Sequence, residues 1–189
     1  MSLHRATSGL LATVIGVFAA LTLSPSASAA TADAAVTGGT LSFINSTPGD
    51  VSFPPVALDG TNKTTSQTQP FDVNDARGTG AGWNITATST VFANGGNTLP
   101  VAATTLAAQP SVACDPGVTC TAATVSGVTY PYTLPAAAVA PAATRLFNAA
   151  ADTGLGAQTV TPNWQLAIPA SARAGTYTAT WTFSLVSGP

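Results

Sequence analysis

Hydrophobic and polar residues alternate with a period of two in several stretches of this 189-residue chain, the spacing of strands rather than of helices. The clearest stretch begins at Trp83: Trp83, Ile85 and Ala87 fall on one side, Asn84, Thr86 and Thr88 on the other, and Val91 resumes the apolar side. Residues 176–185 repeat the pattern, with Tyr177, Ala179, Trp181, Phe183 and Leu185 on one face and threonine or serine on the other. This run predicts the longest strand of the chain, in a sheet with one side on a core and the other in water. Residues 164–168, opening with Trp164, alternate as well.

Elsewhere the pattern is shorter. Residues 41–44 and 51–53 predict a first pair of strands around a polar turn at 45–50, and 59–68 reads as a polar loop. Residues 69–73 predict a strand that Pro70 confines to a sheet edge. Asn94-Gly95-Gly96-Asn97 is a hairpin turn. The 125–134 stretch is strand-like but cut by Gly127 and Pro131. Residues 135–150 carry many alanines, yet Pro141 interrupts any helix there. An irregular crossover with a short strand at Arg145, Leu146 and Phe147 is the expectation. Many short strands separated by turn signals predict an all-β fold, a two-layer antiparallel β-sandwich.

The first residues change the picture of where this fold works. His4 and Arg5 precede an apolar run from Gly9 to Leu23, followed by Ser24-Pro25-Ser26 and the small-x-small site Ala27-Ser28-Ala29. A run of about 15 residues falls short of the ~20 that span a bilayer. Residues 1–29 therefore read as a secretory signal peptide cleaved after Ala29, 30–37 as a mobile leader and 38–189 as one domain. The exported chain keeps Lys63, Arg77, Arg145 and Arg173 against seven aspartates and no glutamate. Four scattered cations make no phosphate-binding stripe and no lipid-binding patch, so neither nucleic acid nor direct membrane insertion is expected.

Cys114 and Cys120 are the only cysteines and bracket a Pro-Gly turn, which in an exported chain predicts a disulfide stapling a loop. No histidine follows the signal segment, so a serine would lack its usual base and a zinc site two ligands. Asp72 and Asp75, with Asp50 or Asp59, form no spacing typical of a calcium loop. No enzyme activity, metal or cofactor is expected; a binding surface is.

Several of these segments together resemble the WxL domain, a module of Gram-positive surface proteins named for two Trp-x-Leu motifs. Residues 38–43 are similar to the family's opening, and Asp75, Arg77, Gly78, Gly82 and Trp83 to its Asp-x-Arg-Gly…Gly-Trp stretch. Gly154 and Gly156 fit a Gly-x-Gly segment, and Gly175, Thr176, Tyr177, Ala179 and Trp181 the terminal strand. Both signatures are altered, with Ile85 and Phe183 where the family has leucine. The one literal Trp-x-Leu, Trp164-Gln165-Leu166, occupies neither signature position. The resemblance implies a secreted protein held at the cell surface, bound non-covalently to the cell wall, with peptidoglycan or an associated wall polymer as ligand. It also allows recruitment by a membrane-anchored surface protein, or a secreted structural role. No hydrophobic tail or sorting segment follows the last strand in this sequence, which is compatible with non-covalent retention.

Wall-binding candidates are Trp83, Trp164, Tyr130 and Tyr132, whose rings can stack on sugar faces, and the Asp75/Arg77 turn. Each has an alternative. The tryptophans share strand faces with Ile85, Leu166 or Leu185, the pattern of a core, and Arg77 can pair with Asp75 to fix its own glycine-rich loop. Of the two signature rings, Trp181 with Phe183 is expected in the core. Trp83, which follows the glycine-rich turn, is expected to be the more open to ligand.

Overall fold

The computed structural model describes residues 28–189, so all but the last two residues of the expected signal peptide lie outside the described residues. Its compact unit runs from Val36 to Pro189 and contains strands but no helix.

The strands are β1 (Leu41–Phe43), β2 (Lys63–Thr68), β3 (Phe71–Asp75), β4 (Trp83–Thr90), β5 (Ala93–Asn94), β6 (Asn97–Thr98) and β7 (Thr104–Leu106). They continue with β8 (Ser111–Cys114), β9 (Tyr132–Thr133), β10 (Ala136–Ala137), β11 (Thr144–Ala149), β12 (Gly156–Thr161), β13 (Asn163–Ile168) and β14 (Trp181–Ser187). One layer joins the ladder β1-β3-β12-β8 to the ladder β2-β13-β7-β9. The seam falls at two prolines. Pro70 separates β2 from β3 and Pro162 separates β12 from β13, and proline has no N–H to carry a ladder onward. The Gln69 N–H closes the seam by donating to the Pro162 carbonyl at 3.1 Å.

The second layer is built around β4. This strand pairs antiparallel with β14 from Trp83↔Ser187 to Ser89↔Trp181. On its other edge it pairs antiparallel with β11 and, at Ser89 and Thr90, parallel with β10. Aromatic side chains fill the space between the layers: Phe71 meets Phe183 at 4.9 Å between ring centroids, and Trp164 meets Trp181 at 5.0 Å. The expected two-layer antiparallel sandwich is present.

The alternation of β4 gives its inner face as expected, with Trp83, Ile85 and Ala87 all fully buried. The hydroxyl face of β14 is in water as expected, with Thr182 and Ser184 exposed, but the polar face of β4 is not. Asn84 and Thr88 are buried too, because the C-terminus and the 135–143 crossover lie over them. Asn84 donates to the Gly188 carbonyl and Thr88 to the Pro141 carbonyl, each at 2.7 Å. A central strand covered on both faces needs hydrogen bonds for its polar side, and these two side chains find them.

Other expectations need correction. Residues 51–53 form no strand, although Phe53 still packs edge-on against Phe92 and Trp181. The polar loop at 59–68 contains β2, whose threonines and glutamine gave no apolar alternation to read. Pro70 does not mark an edge strand: β3 starts after it and lies between β1 and β12. The short strand at 145–147 extends over β11, and 125–134 holds only β9 and a single bridge from Val125 to Ala149. The longest strand is β4, with eight residues against seven in β14. Before Trp181 the terminal run is held only by the Thr178↔Ala93 bridge and by reciprocal bonds between residues 90 and 180.

Candidate functional site

At the end of β3 the chain makes a clip. Asp75 points inward with its side chain fully buried, and Arg77 folds back over it. Arg77 Nε donates to Asp75 Oδ1 and Nη2 to Oδ2, both at 2.8 Å. Nη2 also donates to the Gly82 carbonyl at 2.8 Å, and Nη1 to the Ser187 hydroxyl. One guanidinium thus ties β3, the glycine-rich turn and the end of β14 together. Its hydrogen bonds hold the Asp75 carboxyl below the ordinary carboxylate value although burial pushes the other way. Of the two readings of this turn, the structure has the one in which Arg77 pairs with Asp75 to fix its own loop.

Trp83 follows directly. Its ring stacks on Phe147 at 5.5 Å, and its Nε1 donates to the Gly154 carbonyl at 2.9 Å. Gly154 has a positive φ of 75°, and a Cβ there would stand 2.5 Å from the indole nitrogen, so only glycine fits. Trp83 has no exposed surface and offers no ring face to a ligand. The glycine-rich turn does not leave it open, because residues 149–154 close over it: a Cβ on Gly82 would meet the Ala149 carbonyl at 2.5 Å.

Trp164 is equally closed. It is fully buried and donates through Nε1 to Gln69 Oε1 at 2.9 Å, while Gln69 Nε2 donates to the Gly49 carbonyl at 2.7 Å. The two tyrosines also turn inward. Tyr130 donates to the Leu146 carbonyl at 2.7 Å, and Tyr132, buried, bonds the Thr144 hydroxyl at 2.9 Å. Burial, with Tyr132 alongside, pushes the Tyr130 hydroxyl up to about 12. Tyr130 is half-buried, but its polar end is committed inside the fold.

Trp181 and Phe183 pack against the core as expected, but Trp181, not Trp83, is the more open of the two signature rings. It is only half-buried, and its Nε1 is enclosed without a hydrogen-bond partner. Its ring sits among Trp164, Phe53, Phe92 and Phe183, at 5.0 to 6.2 Å. Strand alternation turns Phe92 and Trp181 to one side of their segments and Ala93 and Thr180 to the other. On that other side lies a trough of about 420 Å³, lined by Thr90, Val91, Ala93, Thr98, Ala138, Thr178, Ala179 and Thr180. Its walls carry hydroxyl and methyl groups and no charge. A smaller depression of about 240 Å³ lies beside β13, near Lys63 and Pro169. Nothing in the alternation pattern marked the trough, since it forms where the loop after β10 meets the run before β14.

The cysteines pair as expected, Cys114 with Cys120, closing the loop after β8. Among the described residues no group of three or more His, Cys, Asp or Glu side chains is placed to hold a metal ion.

Comparison with known families gives one match. The model described as WxL domain, surface cell wall-binding, matches residues 40–189. No curated protein and no solved structure matches the chain.

Proposed function

Because the chain belongs to the WxL family of surface cell wall-binding domains, we propose that it binds peptidoglycan non-covalently, through the trough between the 138 loop and the 178–180 run. The observation that carries the reading is the family match over the whole sandwich, from β1 to the last residue. The trough supports the choice of surface. Neutral glycan strands present hydroxyls and N-acetyl methyls, and Thr90, Thr98, Thr178 and Thr180 beside Ala93, Ala138 and Val91 complement both without charge. A wall polymer seated in the trough would need none of the buried rings. Export would follow from residues 1–29 acting as a cleaved signal peptide, and N-terminal sequencing of the secreted protein should then begin at Ala30.

Purified protein should sediment with isolated Gram-positive cell walls and be released by chaotrope without wall hydrolysis. Failure to sediment under any salt condition overturns the reading.

One observation favours a second reading, recruitment by a membrane-anchored surface protein. Residues 138–143 are alanine, valine and proline, all exposed, and Val139 is 83% exposed. An apolar loop of this kind suits a protein partner better than a sugar. A complex that survives gel filtration and protects this loop from proteolysis would support it.

A further inference from the structure

Asp72 on β3 and Asp115 just after β8 belong to one ladder, outside the trough. Asp72 lies on β3 facing away from Phe71 and Val73, and its ladder partner on β12 is Thr159. Thr159 in turn pairs with Ala113 of β8, two residues before Asp115. The Thr159 hydroxyl donates to Asp115 Oδ1 at 3.0 Å. From the segment after β1, Asn45 Nδ2 donates to Asp72 Oδ2, and Thr47 Oγ1 accepts the Asp72 N–H at 2.8 Å. Asp72 is 8% exposed, and its Oδ1 is buried with no hydrogen-bond partner.

A buried carboxylate oxygen with no donor is unstable unless a cation or a proton meets it. Asp115 is the one charged group that acts on Asp72. The ion pairs among the described residues join Lys63 to Asp59 and Arg77 to Asp75, and neither cation pairs with Asp72 or Asp115. Asn45 and Thr159 present donors to the two carboxyls, whereas a metal would need oxygens turned inward.

We propose that Asp72 and Asp115 share one proton, and that the resulting carboxyl–carboxylate hydrogen bond latches the disulfide-closed loop onto β3. The proton comes from solvent, sits on Asp72 Oδ1 and lowers the charge of the pair from two negatives to one. Burial raises the Asp72 carboxyl above its ordinary value; the Asn45 bond opposes this and the Asp115 charge adds to it. A group whose folded value lies above its unfolded one contributes most at acid pH, and that contribution is lost as pH rises through the folded value. Mild acid therefore tightens the latch, opposite to the action of acid on the Asp75–Arg77 clip.

Carbon-detected NMR titration of the aspartate carboxyls tests this directly. Asp72 should titrate above the ordinary carboxylate value, and its midpoint should fall in Asp115→Asn. The melting temperature should rise as pH is lowered through the Asp72 midpoint. Asp72→Asn, which supplies a donor permanently, should lose that rise and melt at pH 7 no lower than the parent. An Asp72 midpoint at or below the ordinary carboxylate value overturns the proposal. So does a lower melting temperature of Asp72→Asn at pH 7. Calcium chloride that shifts both carboxyl signals and raises the melting temperature at pH 7 would make the pair a cation site, and also overturns it. None of these outcomes depends on wall binding.

Discussion

At the Trp83 end of β4 the indole is fully buried and its N–H is satisfied by Gly154, and the Arg77 clip next to it leaves Asp75 no exposed surface. At the other end, Trp181 pairs with Ser89, is only partly buried and leaves its N–H without a partner. Both tryptophans stand at signature positions, yet they do different work. The closed end commits the Trp83 N–H, the Asn84 amide N–H and the Asp75 carboxylate to other parts of the chain, so it sets the geometry of the sandwich. Just before Trp181 the ladder gives way to the Thr178↔Ala93 bridge and the bonds between residues 90 and 180, and the neutral trough forms there. Residue type alone does not separate scaffold from surface; where the hydrogen bonds go does.

The largest expected effect is at the closed end. Trp83→Ala removes the stack on Phe147 and leaves a cavity, and should cost about 4 kcal/mol in chemical denaturation, with Trp181→Ala costing about half of that. Equal losses would erase the distinction between the two ends.

Arg77→Ala comes next. It strands a buried carboxylate and should cost about 3 kcal/mol, and Arg77→Lys should recover only part because lysine cannot make the two-pronged contact. The pH dependence carries a sign. Asp75 is held below its unfolded value, so the clip's contribution is present above about pH 4 and lost as pH falls through the folded value. Melting curves of Arg77→Ala should lack that acid-side loss.

Replacing both Cys114 and Cys120 by serine opens a short loop and should cost about 2 kcal/mol. The smallest pair of effects is the sharpest. Trp83→Phe keeps a ring but leaves the Gly154 carbonyl unpaired, for about 1–2 kcal/mol, whereas Trp181→Phe removes an N–H that has no partner and should change stability by less than about 1 kcal/mol. The reverse order would place the committed tryptophan at the wrong end.

The alternation that starts at Trp83 was enough to give β4 and its inner face, and residues 164–168 gave most of β13. Asn94 to Asn97 gave the hairpin between β5 and β6, because turn residues of that kind leave few alternatives. Strand β2 was hidden because its inward positions are Lys63, Thr65 and Gln67, with Thr65 donating to the Pro54 carbonyl, and β7 because three residues with Leu106 as their one apolar side chain are too few to show alternation. For the site, period two placed Trp83 and Trp181 on inner faces but carried no information about what covers them. Trp83 is sealed by residues 149–154, about seventy positions later, and Trp181 is left half-open at the edge strand β14. The Arg77–Asp75 pair was one of two readings of a short spacing, and only the buried position of Asp75 decides between them.

Wall sedimentation of trough variants beside a scaffold variant tests the central claim most directly. Ala138→Trp and Thr180→Arg alter exposed residues and should leave the melting temperature unchanged, while filling or charging the trough. Both should lose binding to isolated cell walls, and folded Trp83→Phe should bind as the parent does. Parental binding by both trough variants would contradict the account and move the wall-binding surface elsewhere on the sandwich.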